Sequence, residues 1–85
     1  MTRIELLEKG LRACFLLRQQ HPENQALISI GEQLEYLSTL EQGVHQDRSR
    51  LKDIIIGALA AREIESLDIE IAETFFQVAS EVTRM

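Results

Sequence analysis

The sequence predicts an all-α protein, a small antiparallel four-helix bundle. Three observations lead there. Apolar residues recur at helical spacing along nearly the whole chain. Only three short breaks interrupt them, "HPEN" at 21–24, "GVHQ" at 43–46 and "ESLD" at 65–68. Pro22 is the only proline, and no linker or low-complexity stretch is present. Joints this short make successive helices antiparallel neighbours. The 85 residues read as a single helical domain over 1–85, with helices near 3–20, 23–42, 48–64 and 68–84.

The first helix starts after Thr2, because Thr2 and Glu5 have the T-x-x-E spacing of a capping box. Ile4, Leu7, Leu11, Cys14 and Phe15 then share a face expected to point inward. Pro22 ends this helix and suits the first turn of the second. Along the second helix Ala26, Leu27, Ile30, Leu34, Leu37 and Leu40 form the inner stripe, and Gly43 falls where a C-terminal cap belongs. Asp47 or Ser49 is placed to cap the third helix, and Ser66 or Asp68 the fourth. In the fourth, Ile71, Ala72, Phe75, Val78, Ala79 and Val82 point inward.

The third helix poses a question of phase. It contains "LKDIIIGALAAREIE", residues 51–65, and Ile54, Ile55 and Ile56 cannot all face one way at about 100° per residue. Leu51, Ile54, Ile55, Ala58 and Leu59 share the main face; Ile56, Ala60 and Ile64 form a second strip on roughly the opposite side. Either the helix is central and both strips are core, or the strip around Ile56 docks a partner or a second copy, so that a homodimer is allowed. Gly10, Gly31 and Gly57 lie inside predicted helices, each at a cost of roughly 1 kcal/mol against alanine. Close helix approach or room for a partner's side chain would offset that cost.

Composition limits the function. Apolar residues at 45% and charged residues at 27% are ordinary for a folded globular chain. Fourteen acidic against nine basic side chains give a net charge of −5, which repels nucleic acid and favours a basic protein partner. The basic cluster Arg48, Arg50 and Lys52 is too small to reverse that. No stretch approaches the ~20 apolar residues of a membrane span, and "MTRIELLEKGLRACFLL" is broken by charges unlike a signal peptide. The expected setting is cytoplasmic, without membrane or nucleic acid.

No chemistry stands out. Cys14 is the only cysteine and sits in the inner stripe, so it reads as a small core residue rather than a nucleophile with His21. Glu41 and His45 are four apart, but two ligands do not make a metal site. No catalytic residue, metal or cofactor is expected, and the protein reads as a non-enzyme. What remains is surface. The acidic run "EIESLDIEIAE" at 63–73 is either a solvated helix start or a negative docking patch. Tyr36 lies off the inner stripe and is read as an exposed anchor or as a ring lying flat at the bundle edge.

Taken together, "MTRIELLEKGLRA", "GEQLEYL" and "DRSRLKDIIIGALAAREIESLDIEIAE" give the chain a likeness over about residues 1–80. In this order of pieces it resembles the small all-helical immunity proteins of bacterial type VI secretion, above all those that neutralise an NAD(P)+ glycohydrolase effector. The likeness is best in "QLEYL", "DRSRL" and "GALAAREIE". The resemblance implies a cytoplasmic inhibitor that binds the toxin domain and blocks access of NAD(P)+ to its active site. Within and beside those strings Tyr36, Arg62, Glu63, Glu65 and Asp68 are the expected partner-binding residues, with Tyr36 as desolvated anchor and the carboxylates meeting basic toxin residues. The alternative is a non-enzymatic adaptor or self-associating structural bundle.

Overall fold

The computed structural model describes all 85 residues and contains only helices and turns. α1 (Arg3–Gln20) opens with the capping box: the Thr2 backbone N–H donates to Glu5 Oε1 at 2.8 Å, and the Glu5 N–H donates to Thr2 Oγ1 at 3.2 Å. Hydrogen bonds from the Thr2 backbone and hydroxyl hold the Glu5 carboxyl below its ordinary pKa. α2 (Gln25–Glu41) starts later than Pro22 suggested, because Asn24 is the cap and its Oδ1 accepts from the Leu27 N–H at 3.0 Å. The helix ends in a Schellman motif. Gly43 takes φ +79°, its N–H donates to Leu40 O, and the Val44 N–H donates to Thr39 O.

The core is built around α2. Leu27, Ile30, Leu34 and Leu37 are completely buried there, and α1 supplies Leu6, Leu7, Cys14 and Leu17. α4 (Ile69–Val82) contributes Ala72, Phe75 and Val78, and starts with Asp68 Oδ1 accepting from the Ile71 N–H at 3.0 Å. Arg3 ties the helix ends together, with Nη1 3.2 Å from Glu41 Oε2 and Nε donating to Glu81 Oε1 at 3.0 Å. The start of α1 therefore lies beside the ends of α2 and α4, antiparallel to both. Each of these partly exposed pairs contributes at most about 1 kcal/mol. No helix is long and apolar enough to cross a membrane.

The third helix is the main departure from the sequence reading. No continuous helix forms over 48–64. After Gly43 the chain runs as an irregular segment with one 3-10 turn, Leu51–Asp53, and helix resumes only at α3 (Ile56–Leu59), which passes directly into a π-helical turn, Ala60–Ile64. Neither Asp47 nor Ser49 caps α3; instead the Ser49 N–H and Oγ both donate to Asp47 Oδ1, at 3.0 and 2.6 Å. These bonds, the hydroxyl's first, lower the Asp47 pKa. The backbone at Ile54 is extended, and the Ile55 N–H donates at 2.8 Å to Gln33 Oε1 of α2 rather than to a helical carbonyl.

This late start buries the predicted second strip and splits the main face, of which Leu59 stays buried and Leu51 and Ile54 pack against the core. Ile56, Ala60 and Ile64 are wholly buried, whereas Ile55 is 50% exposed and Ala58 faces out. The isoleucine pointing away from the core is Ile55. The strip offered for self-association is core, which removes that surface from the adaptor and homodimer readings. α2, not the third helix, is central. Gly57 follows from the same packing, since a Cβ there would lie 3.1 Å from Ala79 Cβ, tighter than real contacts allow without movement. Phe15, expected to point inward, is 63% exposed; the registry of α1 buries Leu6, Gly10 and Leu17 instead.

Two measurements check this packing. Phe75→Ala removes the largest fully buried side chain and is expected to cost about 3–5 kcal/mol in denaturant unfolding. Gln33→Leu keeps the volume but strips the Ile55 N–H of its acceptor, an expected loss of about 1–3 kcal/mol. Hydrogen exchange at Ile55 should accelerate in that variant well beyond exchange at Leu34.

Candidate functional site

Tyr36 is only 8% exposed, so it is not the free anchor the sequence suggested. Its hydroxyl donates to the Asp47 carbonyl at 2.7 Å. Its ring stacks on His45 with centroids 5.5 Å apart, and the Arg50 guanidinium carbon sits 4.9 Å from the ring centroid. The physical reason is the irregular 43–55 segment, which folds back over the ring and brings His45, Asp47 and Arg50 against it. The Asp47 N–H donates to His45 Nδ1 at 3.3 Å, and Nε2 meets Thr39 Oγ1 at 3.0 Å. Tyr36 thus organises a loop, the reading closest to a ring at the bundle edge.

The other expected residues form a separate cluster at the opposite end of the third helical segment. Arg62 and Glu63 lie on the outer side of the π turn, and Glu65 follows it; all three are exposed. The Glu65 N–H donates to Ala60 O at 3.1 Å, closing the wide turn. None of the three ion pairs in the structure involves these residues. Asp68 is half-buried and already occupied as the α4 cap. No hydrogen bond or ion pair joins this edge to Tyr36, whose partners are Asp47, His45 and Arg50.

The structure also contains a surface that the sequence reading missed. An open groove of about 360 Å³ runs between α1 and α2. Leu11, Phe15 and Arg18 line it from α1 and Ile28, Gly31, Glu32 and Glu35 from α2, with Cys14 at its floor. Each set follows i, i+3/i+4, i+7 spacing, so each helix presents one continuous edge. Phe15 at 63% and the adjacent Leu16 at 57% are the most exposed large apolar side chains inside any helix. Glu32 and Glu35 continue into a second hollow shared with Tyr36, Thr39, His45 and Arg50, so the groove and the tyrosine-anchored loop are contiguous. A signal was present in "CFLL", residues 14–17: four successive apolar residues sweep about 300° of a helix, so at least one must face out.

Reactive chemistry finds no support in this groove. Cys14 is 2% exposed and its thiol donates to Leu27 O at 3.3 Å. Burial pushes the thiol pKa up, which keeps it in the poorly nucleophilic protonated form. Glu41 turns to Arg3 while His45 stacks on Tyr36, so the two do not converge. No group of three or more His, Cys, Asp or Glu side chains is placed to hold a metal. The groove is a mixed contact surface: Leu11, Phe15 and Ile28 are its apolar lining, and Glu32, Glu35 and Arg18 its charged lining.

Known proteins share both the sequence and the fold. A protein of Pseudomonas aeruginosa described as "Immune protein Tsi6" is 28% identical over 72 residues, covering 85% of this chain and 77% of that relative. The solved structure of Tsi6 from Pseudomonas aeruginosa superposes with a TM-score of 0.88 at 24% identity, over 96% of this chain and 95% of that one, which establishes a shared all-helical fold. The Tsi6 family matches residues 2–84. The resemblance read from the helical strings therefore holds at the level of the family, and this chain belongs to the Tsi6 family.

Proposed function

We propose that this chain is a non-enzymatic immunity protein that binds a type VI secretion toxin with NAD(P)+ glycohydrolase activity and blocks access of the dinucleotide to its active site. The observation that carries this reading is the family match across residues 2–84, joined to a relative described as an immune protein. The molecule's own physics supports it. The protein offers contact surface and a groove lined by both apolar and charged side chains. Its net charge of −5 complements a toxin pocket that must attract the phosphates of NAD(P)+. Such a protein would act in the cytoplasm of the cell that makes it, before a toxin meets the dinucleotide pool.

The exposed edge at Arg62, Glu63 and Glu65 has a place in this scheme. Carboxylates with no partner in the free protein, held on the outside of a turn, contribute mainly to steering and to the rate of encounter. Asp68 adds charge to the same edge while its Oδ1 holds the α4 start. Tyr36 contributes indirectly, by fixing Arg50 and His45 beside the groove.

Two experiments test the proposal. Titrating the protein into the catalytic domain of the effector encoded beside it should abolish NAD+ hydrolysis at a stoichiometric ratio. Turnover that persists at excess would sink the idea. Glu63→Lys combined with Glu65→Lys should slow association about tenfold at low salt and flatten its salt dependence. Thermal unfolding should barely move, because both side chains are exposed and unpaired. An unchanged association rate removes this edge from recognition.

A further inference from the structure

We propose that the groove between α1 and α2, centred on Gly31, is the socket that receives the toxin: one apolar side chain of the toxin domain enters between Phe15 and Ile28, and a neighbouring lysine or arginine meets Glu32 and Glu35. This deepens the immunity reading and rests on it. Three independent features of the groove converge on the same place.

The first is the glycine itself. Three glycines interrupt helical stretches, and packing accounts for two of them. A Cβ on Gly10 would lie 3.3 Å from Leu34 Cδ2, and one on Gly57 would lie 3.1 Å from Ala79 Cβ. At Gly31 the added carbon would meet only Cys14 Sγ at 3.5 Å and an Arg18 nitrogen at 3.9 Å, both ordinary contacts. The fold therefore accepts alanine at 31, and the interior of a 17-residue helix would be steadier with it. Glycine's effect here is on the surface: its missing side chain leaves the groove floor open.

The second is the apolar rim. Phe15 and Leu16 are exposed together beside Leu11, which is only partly covered. Arg12 joins these three around another hollow, also about 360 Å³, whose exposed surface is almost entirely apolar. Clustered apolar surface rimmed by charge is a feature that protein interaction sites share. Phe15 also walls the main groove, so a partner covering one covers both.

The third is charge, which selects the occupant. Glu32 and Glu35 border both the groove and the tyrosine hollow; Arg18 lines the first and Arg50 the second, yet neither carboxylate is engaged in an ion pair with them, so both remain open to a partner's cation. A second copy of this chain would bring another −5 of charge to the interface, whereas a basic toxin surface gains from the same field. A concave floor with free carboxylates on one side fits a protruding apolar residue flanked by a cation. A buried apolar contact of this kind governs dissociation, while the exposed edge at 63–65 governs encounter.

The test compares four proteins, the unmodified chain and the variants Gly31→Ala, Gly31→Leu and Phe15→Ser, against the NAD(P)+ glycohydrolase domain of the adjacent effector. Thermal unfolding, binding kinetics and residual NAD+ hydrolysis are read for each. Gly31→Ala is expected to raise Tm by a few degrees and yet weaken binding several-fold. Gly31→Leu, which fills the floor, should raise Kd at least about tenfold, chiefly through faster dissociation. Phe15→Ser should do the same with Tm unchanged, and it carries the test should Gly31→Leu fail to fold. Equal affinity of the unmodified chain, Gly31→Ala and Phe15→Ser for the toxin domain overturns the socket and leaves immunity standing. If the unmodified chain neither binds nor inhibits, the immunity reading and the socket fall together. Sedimentation of the unmodified chain and of Phe15→Ser separates the remaining occupant: a concentration-dependent dimer that Phe15→Ser dissolves would assign the groove to self-association and overturn the proposal.

Discussion

The amide of Gln33 sets the geometry on which much of the molecule depends. It projects from the central helix, is 9% exposed, and uses both ends of its side chain. Oε1 accepts from the Ile55 N–H at 2.8 Å, and Nε2 donates to Ser29 Oγ at 3.0 Å. α3 has no side-chain cap of its own, so this bond supplies what the local sequence does not. It pins the backbone one residue before the helix begins and so fixes its phase. A slip of one residue rotates a helix by about 100°. That would carry Ile56, Ala60 and Ile64 out of the core and would move Gly57 off Ala79, where a larger side chain meets a wall. The π turn that follows keeps the same phase, with Ala60 and Ile64 both buried behind Ile56.

The character of the surface follows from that placement. With α3 reduced to a single turn, the third segment covers one side of α2 and leaves the groove between α1 and α2 open. The irregular 43–55 chain folds over Tyr36, where Arg50 and His45 pack on its ring beside Glu32 and Glu35. The result is a small protein with an ordinary interior and three distinct kinds of exterior. Exposed carboxylates sit at the π turn, an apolar groove carries carboxylates of its own, and a loop is organised by one buried tyrosine. None of these requires a reactive group. They fit the proposed binding role, with charge for encounter and a concave surface of apolar and charged side chains for a lasting complex.

Legibility in the sequence varies by element, and the reasons are physical. The α2 stripe from Ala26 to Leu40 is legible residue for residue, because its apolar positions form one unbroken i, i+3/i+4, i+7 series that has a single reading. The Thr2–Glu5 box and the Asp68 cap are legible because capping is a local exchange among four residues. Pro22 points to too early a start for α2, since Asn24 competes for the cap and wins. Spacing from Leu11 points Phe15 inward, yet Leu7, Cys14 and Leu17 make an equally good face, and two overlapping faces cannot both be core. Of the expected binding residues, Arg62, Glu63 and Glu65 are exposed, Asp68 is half-committed to a cap, and Tyr36 is covered by a loop expected to be helix.

The amino-acid sequence alone determined the helical class, the order of the helices, the Thr2 and Asp68 caps and the acidic balance, because each depends on contacts within a few residues or on composition. Only the tertiary structure decided which isoleucine of 54–56 is buried, where the third helix begins, and which face of α1 stays open. Those choices rest on groups brought together from distant positions, Gln33 with Ile55, Gly57 with Ala79, and Tyr36 with Asp47 and Arg50. A periodic pattern carries only the relative phase of its own residues; the absolute phase is set by what the neighbouring helix offers to the backbone.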